Sequence, residues 1–315
     1  MFKEILSVIQ EYDKISIFRH VRPDGDCMFS AIALESFIHD NFPKKQVKIA
    51  GEDTYDVFQR NDKLSDSYIR NSLAIVVDTS SHDRIDDTRS LSAPFVIKID
   101  HHPIEDKYGN INYVDPKAAA CAEIIAEMFL SPAFKGMIIS QNTCRYLYAG
   151  IVADTINFRT TNTSAKTLSI ASKLVKKGNL DVASVVEYVM DKDLAYFKHS
   201  TKIRSKLKVK GHFGYIVLSK EQLDKIGVTN MEAKINIDEI GKIKEFNIWS
   251  IATENEGLYD VSVRSRRGYT INEICAHYGG GGHKNAAAAK KLTKKDLNEM
   301  YKILYLLAEK QDSTI

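Results

Sequence analysis

The first part of the chain alternates short apolar runs with longer amphipathic ones, and this order limits the possible folds more than any other feature. ISIFRH (15–20), LAIVVD (73–78) and FVIKID (95–100) have the length and β-branched content of buried strands. Helical periodicity marks the segments between and after them, at 27–42, 117–130, 141–154 and 165–178. Strands that alternate with helices predict an α/β fold, with a parallel sheet covered by helices on both faces.

The pattern changes after about residue 181. From there to about 209 the chain has a helical pattern that becomes increasingly basic, which is typical of a solvated connecting helix. Beyond it, strand patterns mix with short helical ones and predict a smaller α+β domain. We therefore predict a first domain over 1–185, a helical linker over 186–208 and a second domain over 209–315.

Composition narrows the classes of partner. The 44 basic and 41 acidic residues leave a net charge of +3, which argues against long duplex DNA as the partner. Four cysteines without CxxC spacing argue against a zinc finger and fit a reducing cytoplasm. The amino terminus lacks the pattern of a signal peptide, and no apolar run approaches 18 residues. We therefore expect a cytoplasmic protein without a membrane partner.

Ionisable side chains gather at the ends of four apolar runs. In chain order they are His20 with Asp24 and Asp26, then Asp78, then Asp100 with His101 and His102, and finally Asp154, which ends the fourth run, GIVAD. Taken singly, each aspartate has an ordinary explanation as a helix N-cap or a turn residue. Together they are expected at the sheet edge where α/β folds bind ligands.

The ligand types in this cluster indicate a metal centre. Aspartate and histidine without cysteine suit a hard to borderline divalent ion such as Mn²⁺, Mg²⁺ or Co²⁺. The four carboxylates of Asp24, Asp26, Asp78 and Asp154 sum to a charge of −4, which balances two such ions. A carboxylate that bridges them would hold the ions about 3.5–4 Å apart, the spacing used for phosphoryl hydrolysis by an activated water.

Five motifs carry a resemblance to a known family. They are, in order, HVRPDGD, VVDTS, IDHHP, AGIVADT and YGGGGHKNAAAA. The first four resemble the successive motifs of the DHH phosphoesterases, and the last is similar to the glycine-rich motif of the DHH-associated C-terminal domain. Length and layout most resemble the members that degrade short RNA oligonucleotides (nano-RNases) and dephosphorylate 3′-phosphoadenosine 5′-phosphate (pAp). Related members cleave linear dinucleotides such as pApA.

The resemblance implies a role for each residue of the cluster. The implied metal ligands are His20 and Asp24 for one Mn²⁺, Asp26, His101 and Asp154 for the other, and Asp78 as the bridge. His102 would face the scissile phosphate, where it stabilises charge or protonates the leaving oxygen. Asp100 would support the imidazoles from behind, because metal-binding histidines usually need such a partner.

The glycine run at 279–282 lacks the Lys-Ser/Thr pair of a P-loop, and a flexible turn is its ordinary explanation. Two additions favour an anion site instead. Alternation places Arg264 and Arg266 on one strand face, and His283 follows the glycines directly. The pattern thus predicts an anion site that includes Arg264, Arg266 and His283. The family resemblance implies that Arg264 and His283 bind a phosphate or a terminal nucleotide in a cleft between the domains, and that Gly281 and Gly282 permit close approach of the backbone.

Two departures from the family pattern bear on substrate fit. Phe29 stands where a small residue is usual, and Ala288 where glycine is usual. Three other functions stay open: a dedicated dinucleotide phosphodiesterase of cyclic-di-AMP turnover, a RecJ-type single-strand DNA exonuclease, and a catalytically inactive nucleotide-binding regulator. The polarity of attack and the oligomeric state, a homodimer included, also stay open.

Overall fold

The computed structural model describes residues 1–51 and 62–310, and the last five residues of the predicted second domain, 311–315, lie outside this range. The chain divides into two compact units, Met1–Asp191 and Lys192–Ile315. This division falls inside the predicted linker. None of the helices in the described ranges is long and apolar enough to cross a membrane.

A five-stranded parallel sheet forms the centre of the first unit, with strand order β2-β1-β3-β4-β5. Its strands are β1 (Lys14–Phe18), β2 (Gln46–Ile49), β3 (Leu73–Val77), β4 (Phe95–Asp100) and β5 (Ile111–Val114). All carboxyl ends therefore lie along one edge of the sheet. The predicted parallel α/β fold is confirmed.

Alternate residues of these strands face opposite sides of the sheet. Ile17 and Ile75 lie side by side and pack into the larger core with the helices, whereas Phe18 and Val76 face a smaller cluster that includes Ile69. The helices of the unit are α1 (Phe2–Glu11), α2 (Gly25–Asn41), α3 (Asp66–Ile69), α4 (Cys121–Leu130), α5 (Gln141–Asp154), α6 (Ala165–Gly178) and α7 (Val182–Met190).

The fourth apolar run differs from the expectation that it ends a strand. Asp154 is the last residue of helix α5, and GIVAD forms the final turns of that helix. A short buried apolar run is typical of both kinds of element, so periodicity alone cannot separate them. The helical interpretation of 141–154 is the correct one, and Asp154 reaches the sheet edge from a helix end.

The second unit is built on a six-stranded mixed sheet of order β10-β11-β9-β8-β7-β6, in which β7 and β8 are parallel and the other pairs antiparallel. Its strands are β6 (Lys208–Lys210), β7 (Phe213–Leu218), β8 (Ile248–Asn255), β9 (Leu258–Ser265), β10 (Gly281–His283) and β11 (Ala286–Leu292). Its helices are α8 (Leu194–Arg204), α9 (Lys220–Ile226), α10 (Asn230–Lys234), α11 (Ile237–Ile240), α12 (Asn272–His277) and α13 (Lys294–Ala308). The smaller α+β domain is thus also confirmed.

Candidate active site

The carboxyl edge of the parallel sheet carries the predicted cluster. The ends of β1, β3 and β4 carry the first part of the cluster: His20, Asp78 and the run from Asp100 to His102. The start of α2 and the end of α5 carry the other aspartates. The structure places together His20, Asp24, Asp26, Asp78, Asp100, His101, His102 and Asp154. Residues far apart in the sequence therefore converge on one polar site.

One group of ligand candidates is centred on His20. Its Nδ1 lies 2.9 Å from the carbonyl oxygen of Val21, so Nδ1 is placed to donate to that oxygen and Nε2 faces the carboxylates. Nε2 lies 3.6 Å from Oδ2 of Asp78 and 3.9 Å from Oδ1 of Asp24. Asp24 is also the N-cap of α2, where it accepts from the backbone N–H of Cys27.

A second group consists of Asp26, His101 and Asp154, whose ligand atoms lie within 4.8 Å of one another. Nε2 of His101 is 3.7 Å from Oδ2 of Asp154 and 3.3 Å from Oδ1 of Asp78. Nδ1 of His101 lies 3.4 Å from the carbonyl oxygen of Ala118, which orients the ring. Asp78 therefore directs one oxygen to each group and is placed to bridge them.

His102 has a different environment from its neighbour. Its Nδ1 lies 2.8 Å from Oδ1 of Asp100, and its backbone N–H donates to the same oxygen at 3.2 Å. Asp100 is fully buried, whereas 30% of the His102 side chain is exposed. Asp100 thus fixes His102 with Nδ1 inward, while the Ala118 carbonyl holds His101.

The site concentrates charge, most of it on buried side chains. Burial raises the pKa of Asp154 to about 7, and burial together with the nearby carboxylates of Asp78 and Asp154 raises the pKa of Asp26 well above its ordinary value. Burial alone would also raise the pKa of Asp78, but pairing with His101 and His20 outweighs it and lowers that pKa. Burial opposes the charged form of His101, yet its carboxylate neighbours raise its pKa. Without cations, this cluster retains protons.

The donor set fits divalent cations. Oδ1 of Asp78 is buried and makes no hydrogen bond in the described residues, where Nε2 of His101 lies 3.3 Å away as an ion-pair partner, so this oxygen can accept a further ligand. Cys27 also lies within reach of His20 and Asp78, but burial raises the pKa of its thiol to about 11. The other ligand atoms in these groups are carboxylate oxygens and imidazole nitrogens, which suit hard to borderline divalent ions.

Asp26 has a structural role that the sequence analysis missed. Its Oδ2 accepts from the backbone N–H of Cys121 at 2.6 Å and its Oδ1 from that of Ala122 at 3.0 Å. These are the first amides of α4, which begins after Ala120, a residue whose side chain cannot cap a helix. Asp26 thus caps this helix from 95 residues away. The sequence signal for this role is weak: α4 starts after Ala120, which cannot cap it, so its first amides need a partner from elsewhere in the chain.

A left-handed turn follows Asp154. Ile156, Asn157 and Phe158 all have positive φ, at 48°, 55° and 63°. Thr155 is fully buried and holds this turn, because its hydroxyl donates to the carbonyl of Ile151 and accepts from the N–H of Phe158. Each left-handed residue other than glycine costs about 1–2 kcal/mol, so the turn is strained directly behind a ligand candidate. The turn contains no glycine, and its sequence signal is Asn157, a residue type that tolerates this conformation.

In the second unit, the two predicted arginines have different surroundings. Arg264 lies on β9 opposite Ala286 of β11. Its guanidinium donates a hydrogen bond to the carbonyl of Val263 at 3.1 Å. Burial lowers the pKa of its guanidinium. Arg266 donates to the carbonyls of Phe246 at 2.7 Å and Ile243 at 2.9 Å, so it holds the backbone of its own unit.

The glycine run forms the start of a hairpin. Gly281, Gly282 and His283 make up β10 and are exposed, with His283 opposite Ala286. A Cβ at Gly280 would lie 1.9 Å from the carbonyl oxygen of Ala288, so glycine is required there. Gly282 has φ of +132°, which also favours glycine, whereas a Cβ at Gly281 would meet nothing within 4 Å.

The two departures from the family pattern have plain structural positions. Phe29 is only 2% exposed and packs in the core of the first unit, on the first turns of α2. Ala288 pairs with Gly281 across the hairpin. Neither side chain belongs to the metal-ligand cluster.

Fold and site together define a class of protein: an aspartate and histidine centre at the carboxyl edge of a parallel sheet, followed by a mixed-sheet unit. The family model described as the DHH family, N-terminal domain, matches residues 14–151, and the DHHA1 domain matches residues 208–310. The chain belongs to the DHH family. This confirms the predicted family and the predicted assignment to the phosphoesterases.

Two relatives match over nearly their whole length. The chain is 37% identical over 307 residues to the probable bifunctional oligoribonuclease and PAP phosphatase NrnA of Streptococcus mutans, covering 96% of this chain and 97% of the relative. It is 31% identical to the bifunctional oligoribonuclease and PAP phosphatase NrnA of Bacillus subtilis, covering 92% and 93%. Among solved structures, an exopolyphosphatase-related protein from Bacteroides fragilis has a TM-score of 0.85 at 22% identity, with 98% and 97% covered, which shows the shared fold.

Proposed function

We propose that this protein is a cytoplasmic exonuclease and phosphatase that hydrolyses short RNA oligonucleotides to mononucleotides and removes the 3′-phosphate of pAp to give AMP. The observation that carries the proposal is the position of Asp78. One of its oxygens faces His20 and the other faces His101, so that two ligand groups share a single carboxylate. The names of the relatives with which the chain aligns over more than nine-tenths of its length support the choice of substrates.

Two divalent cations, with Mn²⁺ as the first choice, fit the two groups, and when bound they would lower the pKa of a water and polarise the phosphate. His20, Asp24 and Asp78 would hold one, and Asp26, His101 and Asp154, with Asp78 again, the other. The chain contributes ligands of balancing charge, and it excludes water behind them because Asp26, Asp78 and His101 are buried.

His102 is proposed to carry the proton-transfer step. Because Asp100 accepts from Nδ1, the opposite nitrogen, Nε2, is the atom that would donate to the leaving oxygen or to a phosphate oxygen. Arg264, Gly281, Gly282 and His283 of the second unit would bind the neighbouring phosphate or nucleotide, with Arg266 in the supporting position described above. An RNA oligonucleotide and pAp share this requirement, since each presents a scissile phosphoester next to a second phosphate.

A substrate panel tests the proposal. Purified protein with Mn²⁺ is expected to release mononucleotides from RNA pentamers and phosphate from pAp. Asp78→Ala should abolish both activities, whereas Asp40→Asn, near the other end of α2, should leave both unchanged. Cleavage of pApA alone would replace the proposal with the dinucleotide phosphodiesterase, and degradation of long single-stranded DNA with the RecJ-type exonuclease. No release from any of these substrates would refute the proposal of an oligoribonuclease and pAp phosphatase.

A further inference from the structure

Lys98 is a fully buried lysine in the middle of the parallel sheet. It lies on β4 between Ile97 and Ile99, with none of its surface exposed, and pairs in register with Val76 of β3. Its side chain is on the face of the sheet opposite the larger core, beside the apolar Val96 and Val76. Lysine is almost never fully buried without a partner, because an unpaired buried charge is costly. The contacts of its ammonium group therefore indicate what the residue does.

The ammonium group of Lys98 connects two loops at the active site. Nζ donates to the carbonyl of Ser80 at 2.6 Å and to the carbonyl of Asp106 at 3.0 Å. Ser80 lies two residues after Asp78, and Asp106 lies four residues after His102. The Tyr108 ring is 4.8 Å from Nζ. Lys98 thus ties the loop after the shared carboxylate to the loop after His102.

The remaining contact is with Asp100. Nζ lies 3.4 Å from Oδ2 of Asp100, and both side chains are fully buried. The other oxygen, Oδ1, receives the Nδ1 and the backbone N–H of His102. Oδ2 makes no hydrogen bond in the described residues, so Lys98 is its ion-pair partner and compensates its charge, whereas Oδ1 fixes His102 through hydrogen bonds.

The ion pair with Lys98 distinguishes Asp100 from the four carboxylates that are proposed to bind cations. The four ligand carboxylates already supply the charge that two divalent cations need. A fifth uncompensated carboxylate beside them would repel the others and compete for cations. Because the ammonium group of Lys98 compensates the negative charge of Asp100, this carboxylate is left to orient His102 and not to bind a cation.

We propose that Lys98 is a positioning residue for His102, acting through Asp100 and the two loops; the inference rests on the role proposed for His102 in proton transfer. In the described part of the chain, the ammonium group of Lys98 contacts Ser80, Asp100, Asp106 and Tyr108, none of which is a ligand candidate. Its loss is expected to alter turnover without altering the binding of cations.

Lys98→Met tests this proposal, since methionine keeps much of the apolar stem and removes the charge. The expected result is a fall in kcat on pAp of about 10–100-fold, the range typical of residues that orient a functional imidazole, with KM and Mn²⁺ content unchanged. Val96→Ala is the matched control: it lies on the same strand and face, removes core packing, and should lower stability while leaving kcat unchanged. Loss of Mn²⁺ from Lys98→Met, or an equal loss of kcat in Val96→Ala, would overturn the positioning role.

A double variant separates positioning from general damage. If Lys98 acts through His102, then adding Lys98→Met to His102→Ala should cause no further loss of kcat, since the group that it positions is gone. A further loss of tenfold or more would show an independent structural effect and refute the proposal.

NMR supplies a readout that does not depend on activity. In the wild type, the Nδ1 proton of His102 should give a low-field signal typical of an imidazole bonded to a carboxylate, and Lys98→Met should shift it or remove it. An unchanged His102 signal in Lys98→Met would overturn the inference whether or not the wild type turns over any substrate. The substrate panel alone decides the proposed function, so the two failures can be told apart.

Discussion

Without cations, the first unit should lose stability as the pH rises from 5 to 7. Burial raises the pKa of Asp154 to about 7, so the folded protein keeps a proton that the unfolded chain releases near pH 4. Between these values the folded state binds one more proton than the unfolded state, and the free energy of unfolding falls by about 1.4 kcal/mol per pH unit. Asp26, whose pKa is also raised, acts in the same direction over this range, and His101 does so only above its ordinary pKa of about 6.5.

For Asp154 alone this amounts to about 2 kcal/mol between pH 5 and pH 7, and solvent screening reduces it toward about 1 kcal/mol because 28% of the side chain is exposed. The measurement is hydrogen exchange of the α2 and β3 amides in chelator at pH 5, 6 and 7, with rates corrected for intrinsic exchange. This readout is confined to the first unit. Mn²⁺ should reverse the trend and stabilise most at the highest pH, because cations replace the retained protons.

Asp154→Asn is the control for this prediction, since an amide does not titrate. Its stability in chelator should fall less between pH 5 and pH 7 than that of the wild type. A wild-type stability that stays level or increases over this range would refute the electrostatic reasoning, because it would mean that the carboxylates are already ionised in the metal-free fold.

Three further predictions concern single residues. His101→Ala should lower Mn²⁺ occupancy, whereas His102→Ala should keep both ions and lose turnover; equal loss of metal in metal analysis would contradict the division of roles. Ile156→Gly should raise the free energy of unfolding by up to about 1 kcal/mol in denaturant titration, since glycine adopts positive φ without strain. A lower denaturant midpoint for this variant would count against strain at the turn. Arg264→Gln should raise KM for RNA pentamers and leave the free energy of unfolding unchanged. Arg266→Gln should lower the free energy of unfolding by about 1–3 kcal/mol, because its hydrogen bonds to two carbonyls are lost. The reverse pattern would exchange the roles of the two arginines.

The sequence predicts best the features that local chemistry determines. Helices α5 and α6 occupy the predicted ranges because Ser140 and Ser164 cap them and their patterns are strong. Helix α4 begins at Cys121, four residues later than predicted, because its first amides are bound by a carboxylate on α2 that no local pattern reveals. The cluster could be predicted because parallel strands bring their carboxyl ends to one edge.

Contacts between distant segments could not be predicted. In VIKID, alternation makes Lys98 look like an ordinary polar residue of a strand, yet the loops after β3 and β4 close over it. The partner of Nδ1 of His101 is a backbone carbonyl, which leaves no trace in the sequence. Residue types thus indicate which side chains gather, whereas the fold decides which partner orients each one.

The cap that Asp26 provides for α4 gives the protein a built-in reporter. The two oxygens that face the backbone N–H groups of Cys121 and Ala122 belong to the same carboxylate that is proposed to bind a cation. An arriving cation would draw electron density from these oxygens and weaken both hydrogen bonds. The amide resonances of Cys121 and Ala122 should therefore shift when the second position fills, and should respond less when only the position beside His20 is occupied. Two backbone amides could in this way show the order in which the two cations load.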